Sequence, residues 1–401
     1  MAGETELLEK VQKVAEDTAT LCPFPGLRPF RYSETHLYYG QDQITQRVLN
    51  QLIDNRFVAV LGGGGVGKTS FLNCGLKPYF NTGIVGSTKV RWHIIHTRPS
   101  NNPIRNLAEA LNREELGDCS EETSNIQTQI SYNVIKRGKS GLIELLKQFK
   151  PGKEDKYLLV IDQFEDIFRF KNIRNESGLA DDAFEYVGLL MHAIQQKEIP
   201  LYLVVAVRSD FADDCLMFPY FSNLINRSNV LVPRVTRDLI REVITGPLNA
   251  SNLSIDNTLL LQILNDASNT EDLLPRLQHA MRRTWESWNS LENPEKPFSL
   301  TEYEISGGLK NAINNHANEL YDSLSSEDKV LCEKIFKSLA EKGSENKGFT
   351  RPTSVKELCG ITQGEIEDVI RVVNIFPCSV GRFSFTCKRR FNARYSCRPG
   401  A

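Results

Sequence analysis

Apolar residues in this chain fall into short unbroken runs, and between the runs they recur at helical spacing. FVAVL at 57–61, YLLVI at 157–161 and LYLVVAV at 201–207 have no polar residue on alternate positions. Runs of that length read as strands covered on both faces. KVRWHIIH at 89–96 and NVLVP at 229–233 add two more strand segments, and amphipathic patterns such as DDAFEYVGLLMHAIQQK lie between the strands. Strand and helix in alternation predict an α/β fold, a doubly wound parallel sheet wrapped by helices. Beyond residue 235 the strand-like runs stop and helical spacing continues. TRDLIREVITGPL opens on the N-cap residue Thr236, places Leu239, Ile240, Val243 and Ile244 on one face, and is predicted to stop at Gly246-Pro247. Thr362-Gln363-Gly364-Glu365 has the form of a capping box before a helix carrying Ile366, Val369, Ile370 and Val373. Trp285 and Trp288, three apart, read as core.

Composition narrows the class. A chain of 401 residues accommodates two or three domains, and its formal net charge of −2 offers no bulk attraction to nucleic acid or anionic membrane. No apolar run approaches the ~20 residues that span a bilayer, and MAGETELLEKVQK lacks the apolar stretch of a signal peptide. The expectation is a cytoplasmic protein without membrane contact. The nine cysteines show no C-x-x-C and no metal spacing with histidine, which implies reduced, structural thiols. His93 and His96, three apart on a predicted strand, face opposite ways, so no zinc is expected.

The candidate chemistry begins directly after the first apolar run. Gly62, Gly63, Gly64, Gly65, Val66, Gly67, Lys68, Thr69 and Ser70 carry the spacing G-x-x-x-x-G-K-[ST] of a Walker A loop, between a strand and a helix that Pro78 is expected to stop. Glycines let the backbone curl so that its N–H groups point at phosphate oxygens, and the helix N-terminus adds partial positive charge. Lys68 then suits the β and γ phosphates, and the Thr69 hydroxyl suits Mg²⁺. KYLLVIDQFEDIF ends in an acid as a Walker B segment does, which makes Asp162 the second candidate metal ligand. Many ATPases of this plan place a glutamate next, to activate water. Here that position is Gln163, which accepts no proton. Glu165 and Asp166 follow within reach of a tight turn, and Glu165 is the first candidate for a catalytic base, with a surface salt bridge as the alternative. Slow hydrolysis is the expected consequence. Arg208 closes the strand of LYLVVAVRSDF, where it can sense the γ-phosphate or simply be solvated. No N-K-x-D occurs, NKGF at 346 lacking the aspartate, which favours adenine over guanine.

With these residues in place, the chain resembles the STAND class of signal-transduction NTPases, and within it the bacterial novel STAND NTPase group often joined to WD repeats. The resemblance rests on FPGLRPF at 24–30, LYYGQDQI at 37–44, GGGGVGKTSFLNCGLKPYF, LLVIDQFEDIF, VVAVRSDF, VITGPL and LLPRLQHAMRRTWE, in that order. It continues through LTEYEISGGLKNAINNHANELYDSL to the region of FTRP at 349–352, and spans roughly residues 23–385. It implies a leader at 1–22, a P-loop domain at 23–235, a small helical domain at 236–300 and a winged-helix-like domain at 301–385, together enclosing ADP or ATP. It implies that Pro275 lies against the nucleotide, although a proline in a first helical turn has a plain structural reading too. It also implies a switch: ADP keeps a silent state, while signal and ATP open the protein for self-association or for a protein effector or sensor. Two features depart from the family. Gly40-Gln41 replaces the usual glycine-arginine pair, and TCKRRFNARYSCRPGA matches nothing in it, so 386–401 reads as a basic tail, disordered or arising from an interrupted reading. A DNA-associated ATPase with a winged helix is the rival reading, with a small-molecule kinase behind it. The acidic helix EIEDVIRVVN is a poor surface for phosphate, so nucleic acid is not the expected partner.

Overall fold

The computed structural model describes residues 22–82, 90–117, 120–172, 179–270, 272–291, 296–339 and 355–376. The leader up to residue 21, FTRP at 349–352 and the basic tail lie outside them. The chain divides into two compact units.

Among the described residues, the first unit comprises Cys22 and Pro23, Pro29–Ser254 and Asn269–Leu274. Helix α1 (Asp42–Asn55) leads into β1 (Phe57–Gly62). Next comes α2, made of an α turn Lys68–Ser70, a π segment Phe71–Leu76 and a second α turn Lys77–Asn81. Strand β2 (Arg91–Thr97) precedes α3 (Pro103–Leu116), α4 (Glu121–Ile135) and α5 (Gly141–Gln148). Strand β3 (Asp155–Ile161), α6 (Leu179–Gln195), β4 (Leu201–Arg208), α7 (Pro219–Arg227), β5 (Asn229–Leu231) and α8 (Arg237–Ala250) complete the unit.

All five strands are parallel and lie side by side in the order β2-β3-β4-β1-β5. Both faces of the central strands are covered, which is why β1, β3 and β4 are apolar at nearly every position. On one face Val58, Val60, Leu158, Val160, Val204 and Ala206 pack with Val48 and Leu52 of α1 and with Phe71, Leu72 and Leu76 of α2. On the other, Phe57 meets Phe221 of α7 edge-on at 6.0 Å. The pairing registers bring Gly62 beside Arg208 and Thr97 beside Ile161, so the residues that end the strands form one row along the carboxyl edge.

Among the described residues, the second unit comprises Phe24–Arg28, Ile255–Ser268 and Pro275–Phe376. Its helices are α9 (Asn257–Asp266), α10 (Leu273–Asn289, from Pro275), α11 (Leu300–Ile305), α12 (Gly308–Asp322), α13 (Ser326–Leu339), α14 (Val355–Thr362) and α15 (Ile366–Ile375). Trp288 is buried and donates Nε1–H to Lys296 O at 2.7 Å. The Tyr303 hydroxyl ties α11 to α9 and α12, donating to Asp266 Oδ2 at 3.2 Å and accepting Leu309 N–H at 2.8 Å. Cys332, Ile335, Leu358, Val369, Val372 and Phe376 form a core among α13, α14 and α15. What is described of 301–385 is helical; the remainder of the expected winged-helix-like domain lies outside the described residues.

Three local expectations are corrected. Pro78 does not end the P-loop helix, which continues to Asn81. The π segment before it bonds Lys77 N–H to Leu72 O, and this wider turn accommodates a residue that brings a ring and no N–H. Gly246-Pro247 does not end α8, which reaches Ala250. Gly246 instead serves packing, because a Cβ there would lie 2.4 Å from the Tyr39 ring. Thr362 does not cap α15. Its hydroxyl donates to Leu358 O at 2.7 Å inside α14, and Glu365 occupies the N-cap position without a side-chain bond.

Candidate functional site

The loop after β1 turns from strand to helix through two left-handed residues, Gly65 (φ +67°) and Gly67 (φ +89°). Any other residue would be strained at either position. At Gly65 space forbids one as well, since a Cβ would lie 2.7 Å from the Asp272 Cα. Gly63 and Gly64 do not adopt the left-handed region. Val66 folds back over Gly62, where a Cβ would meet Val66 Cγ2 at 2.9 Å. Lys68 reaches over the loop and donates from Nζ to Gly62 O and Gly63 O, each at 2.8 Å. Burial lowers its affinity for the proton; Glu165 and Asp162 oppose that, and Arg208 adds to it. The Ser70 hydroxyl accepts Phe30 N–H at 3.2 Å, and Asn73 Nδ2 donates to Phe30 O at 2.9 Å. The end of the FPGLRPF stretch is therefore pinned to the P-loop helix.

Asp162 stands one residue beyond β3 and is 1% exposed. Its N–H bonds to Thr97 O at 3.0 Å, which fixes the carboxylate on the edge row. Oδ2 accepts the Thr69 hydroxyl at 2.9 Å, so the two candidate metal ligands, 93 residues apart in sequence, are in direct contact. A hydroxyl beside a carboxylate is a donor set that suits Mg²⁺. Bound there, the ion would supply charge neutralisation to a phosphate group. The same Oδ2 also accepts Arg98, from Nε at 3.0 Å and Nη2 at 2.7 Å.

Gln163 adopts φ +54°, and Asp166 N–H bonds back to its carbonyl at 3.0 Å. This reversal turns Glu165 toward the sheet edge, where Oε2 accepts Arg208 N–H at 3.2 Å. Glu165 is 3% exposed. Burial raises its pKa, with Lys68 among the groups that oppose the rise. A buried carboxylate with a raised pKa is a better proton acceptor once ionised. Arg208 lies beside Gly62 in register, its guanidinium on Asp210 Oδ2 at 2.5 Å and over the Phe211 ring at 5.9 Å. Pro275 is the third residue of α10, in the second unit. Gln41 is the buried N-cap residue of α1, and its Oε1 has no hydrogen-bond partner.

The structure thus brings Gly62, Lys68, Thr69, Asp162, Glu165 and Arg208 onto one edge of one sheet. Sequence reading missed Arg98, which stands beside Asp162 because β2 pairs with β3. The signal available was its place at the end of an alternating strand, one residue past Thr97. His93 and His96 face apart: His93 stacks on Tyr157 at 5.0 Å, while His96 Nδ1 meets Lys77 Nζ at 2.8 Å.

A parallel five-stranded sheet with a lysine loop after β1 and an acid after β3, joined through Thr69, defines a P-loop NTPase. The model of the family Novel STAND NTPase 1 matches residues 23–377, and the chain belongs to that family. No curated protein matches it. Among solved structures it is similar to the Aeropyrum pernix ORC1 protein in complex with DNA, at 13% identity and TM-score 0.48, over 85% of this chain and 84% of that one. It is also similar to the Aeropyrum pernix ORC2 protein in ADPNP and ADP complexes, at 14% identity and TM-score 0.48, over 78% and 75% of the two chains. AMPPCP-bound DnaA from Aquifex aeolicus is similar at 13% identity and TM-score 0.37, over 87% and 91%. Among the described residues no helix is long and apolar enough to cross a membrane.

Proposed function

We propose that the chain is a cytoplasmic adenine-nucleotide switch that binds ATP or ADP with Mg²⁺, hydrolyses ATP slowly, and couples the exchange to self-association. Gly62–Ser70 holds the phosphates, Lys68 meets their charge, and Thr69 with Asp162 holds the cation. Arg208 senses the terminal phosphate from the neighbouring strand. The observation that carries this reading is the identity and backbone of the residue after Asp162. Gln163 accepts no proton, and Glu165, just past its left-handed turn and tied to Arg208 N–H, is the residue we assign to activate water. A pocket that retains a triphosphate longer than it cleaves it has the property a switch needs. A nucleotide shifts an equilibrium only by its differential affinity for the two states. Input and output then come through a protein sensor or effector.

The rival DNA-associated reading has less support. Arg371, the basic residue of α15, is engaged by Asp328 at 2.7 Å and Asp368 at 2.9 Å, so its charge is already partnered by carboxylates. Light scattering with ADP and with a slowly hydrolysed ATP analogue, both with Mg²⁺, tests the proposal. A compact monomer with ADP and a larger species with the analogue are expected, the shift being absent in Lys68→Ala and Arg208→Ala. Equal mass with both nucleotides would overturn the switch, and salt-dependent DNA binding would favour the rival.

A further inference from the structure

Among the described residues, Arg98 is the cation that rests on a group the nucleotide's own counter-ion would use. Its two nitrogens occupy Asp162 Oδ2 together with the Thr69 hydroxyl, so three donors converge on one carboxylate oxygen. A divalent cation held by Thr69 and Asp162 would place a second positive charge beside that guanidinium and weaken its hold on the carboxylate by like-charge repulsion. Arg208 faces no such competition, because its partner is Asp210 on its own strand end.

The backbone that carries Arg98 is clamped, and its head, held by Asp162 among the described residues, is partly open to solvent. Asn106 Nδ2 donates to Arg98 O at 3.1 Å and to Pro99 O at 2.8 Å, clamping the strand end. The side chain is 34% exposed, against 1% for the carboxylate it holds. The guanidinium is already close to the phosphate loop: Nη2 lies 2.7 Å from an oxygen that itself lies 2.9 Å from Thr69 Oγ1. The separation of guanidinium and P-loop hydroxyl cannot exceed those two lengths laid end to end. A planar fork with several donors at that distance suits a phosphate group.

We propose that Arg98 is a terminal-phosphate reader released from Asp162 by the bound cation, and so a residue that sets the preference for ATP over ADP. With ADP the displaced guanidinium has no anion at the far end of the loop. With ATP it meets the γ-phosphate, and the charge-assisted bonds it regains favour the triphosphate. The inference rests on the nucleotide site proposed above and concerns a residue that site does not require for phosphate binding.

The test measures affinity, not turnover. ADP and a slowly hydrolysed ATP analogue are titrated calorimetrically into the full chain with Mg²⁺, for wild type, Arg98→Ala and Arg98→Lys. Manganese binding in the presence of ADP is followed separately by electron paramagnetic resonance, and thermal unfolding shows that each variant is folded. Arg98→Ala should lose on the order of tenfold to a hundredfold of the preference for the triphosphate. It should also bind manganese more tightly, since a competitor for Asp162 is gone. Arg98→Lys, which keeps the charge without the fork, should retain part of the preference and rules out a general folding defect. An unchanged triphosphate preference in Arg98→Ala, or weaker manganese binding, overturns the role of Arg98 while leaving the pocket intact. Wild-type protein that binds neither nucleotide overturns the pocket and this role together.

Discussion

Replacing Glu165 by glutamine separates the chemical role of this residue from its structural one. The substitution keeps shape and keeps an oxygen to accept Arg208 N–H, now 3.2 Å from Oε2. What disappears is a buried negative charge and the capacity to take a proton. Burial, with the Asp166 charge adding to it, raises the Glu165 pKa, so the carboxylate is held in the fold at a cost, and its neutral isostere should leave the thermal midpoint unchanged or slightly higher. Lys68 loses one of the charges that oppose its own desolvation, which makes ammonium burial less favourable and partly offsets that gain. Nucleotide affinity should change little, because Lys68, Thr69 and the loop are intact. Hydrolysis should fall. A general base contributes from about a hundredfold upward, and a hundredfold corresponds to ~2.7 kcal/mol of barrier. Single-turnover hydrolysis of radiolabelled ATP at saturating protein is the assay, run across pH. Wild-type rate should decline as pH falls through the raised Glu165 pKa, and the glutamine variant should be slow and flat. A rate equal to wild type, with the same pH profile, would show that water is activated from elsewhere and that Glu165 is only a buried partner of the Arg208 backbone.

Other outcomes follow from the same geometry. Lys68→Ala should abolish measurable ATP binding by calorimetry while the protein remains folded, since among the described residues Nζ bonds to the loop carbonyls of Gly62 and Gly63 at 2.8 Å. Gln163→Glu should speed hydrolysis, on the order of a hundredfold if the side chain reaches the water, in the same single-turnover assay. Acid should destabilise the fold through two histidines. Burial, with Lys77, holds His96 down to about 4, and burial, with His316 and Arg283, holds His279 down to about 4. Both are neutral in the fold and protonate near ~6.5 when unfolded, so their contribution is complete above ~6.5 and is lost as pH falls toward about 4. Thermal unfolding across that window should show the decline, and His279→Gln should flatten it.

Much of the fold was legible because doubly covered strands have to be apolar at nearly every position. Phe57–Gly62, Asp155–Ile161 and Leu201–Arg208 stand out from sequence for that reason. The edge strand β2 is alternating and was legible too, but its partner was not, because pairing is set by tertiary packing. That is why Asp162 could be singled out while Arg98, which pairs with it just past the end of the β2–β3 register, could not. Local punctuation misled where packing outweighed it. Pro78 and Pro247 read as stops, yet a π turn absorbs the first, and the helix around the second is held by buried Val243, Ile244 and Leu248 with Gly246 against Tyr39. Thr362 read as a cap because its spacing to Glu365 was right. Its hydroxyl found a nearer acceptor in the preceding helix, whose existence the spacing did not reveal.

The central claim is that the Gly62–Ser70 loop is an adenine-nucleotide pocket whose occupant is retained. Purified wild-type protein and Lys68→Ala should be denatured with acid and the released nucleotides identified and quantified by ion-exchange chromatography. ADP or ATP is expected at close to one per wild-type chain and essentially none in Lys68→Ala. Guanine nucleotide in the wild type, or equal nucleotide in both proteins, would contradict it.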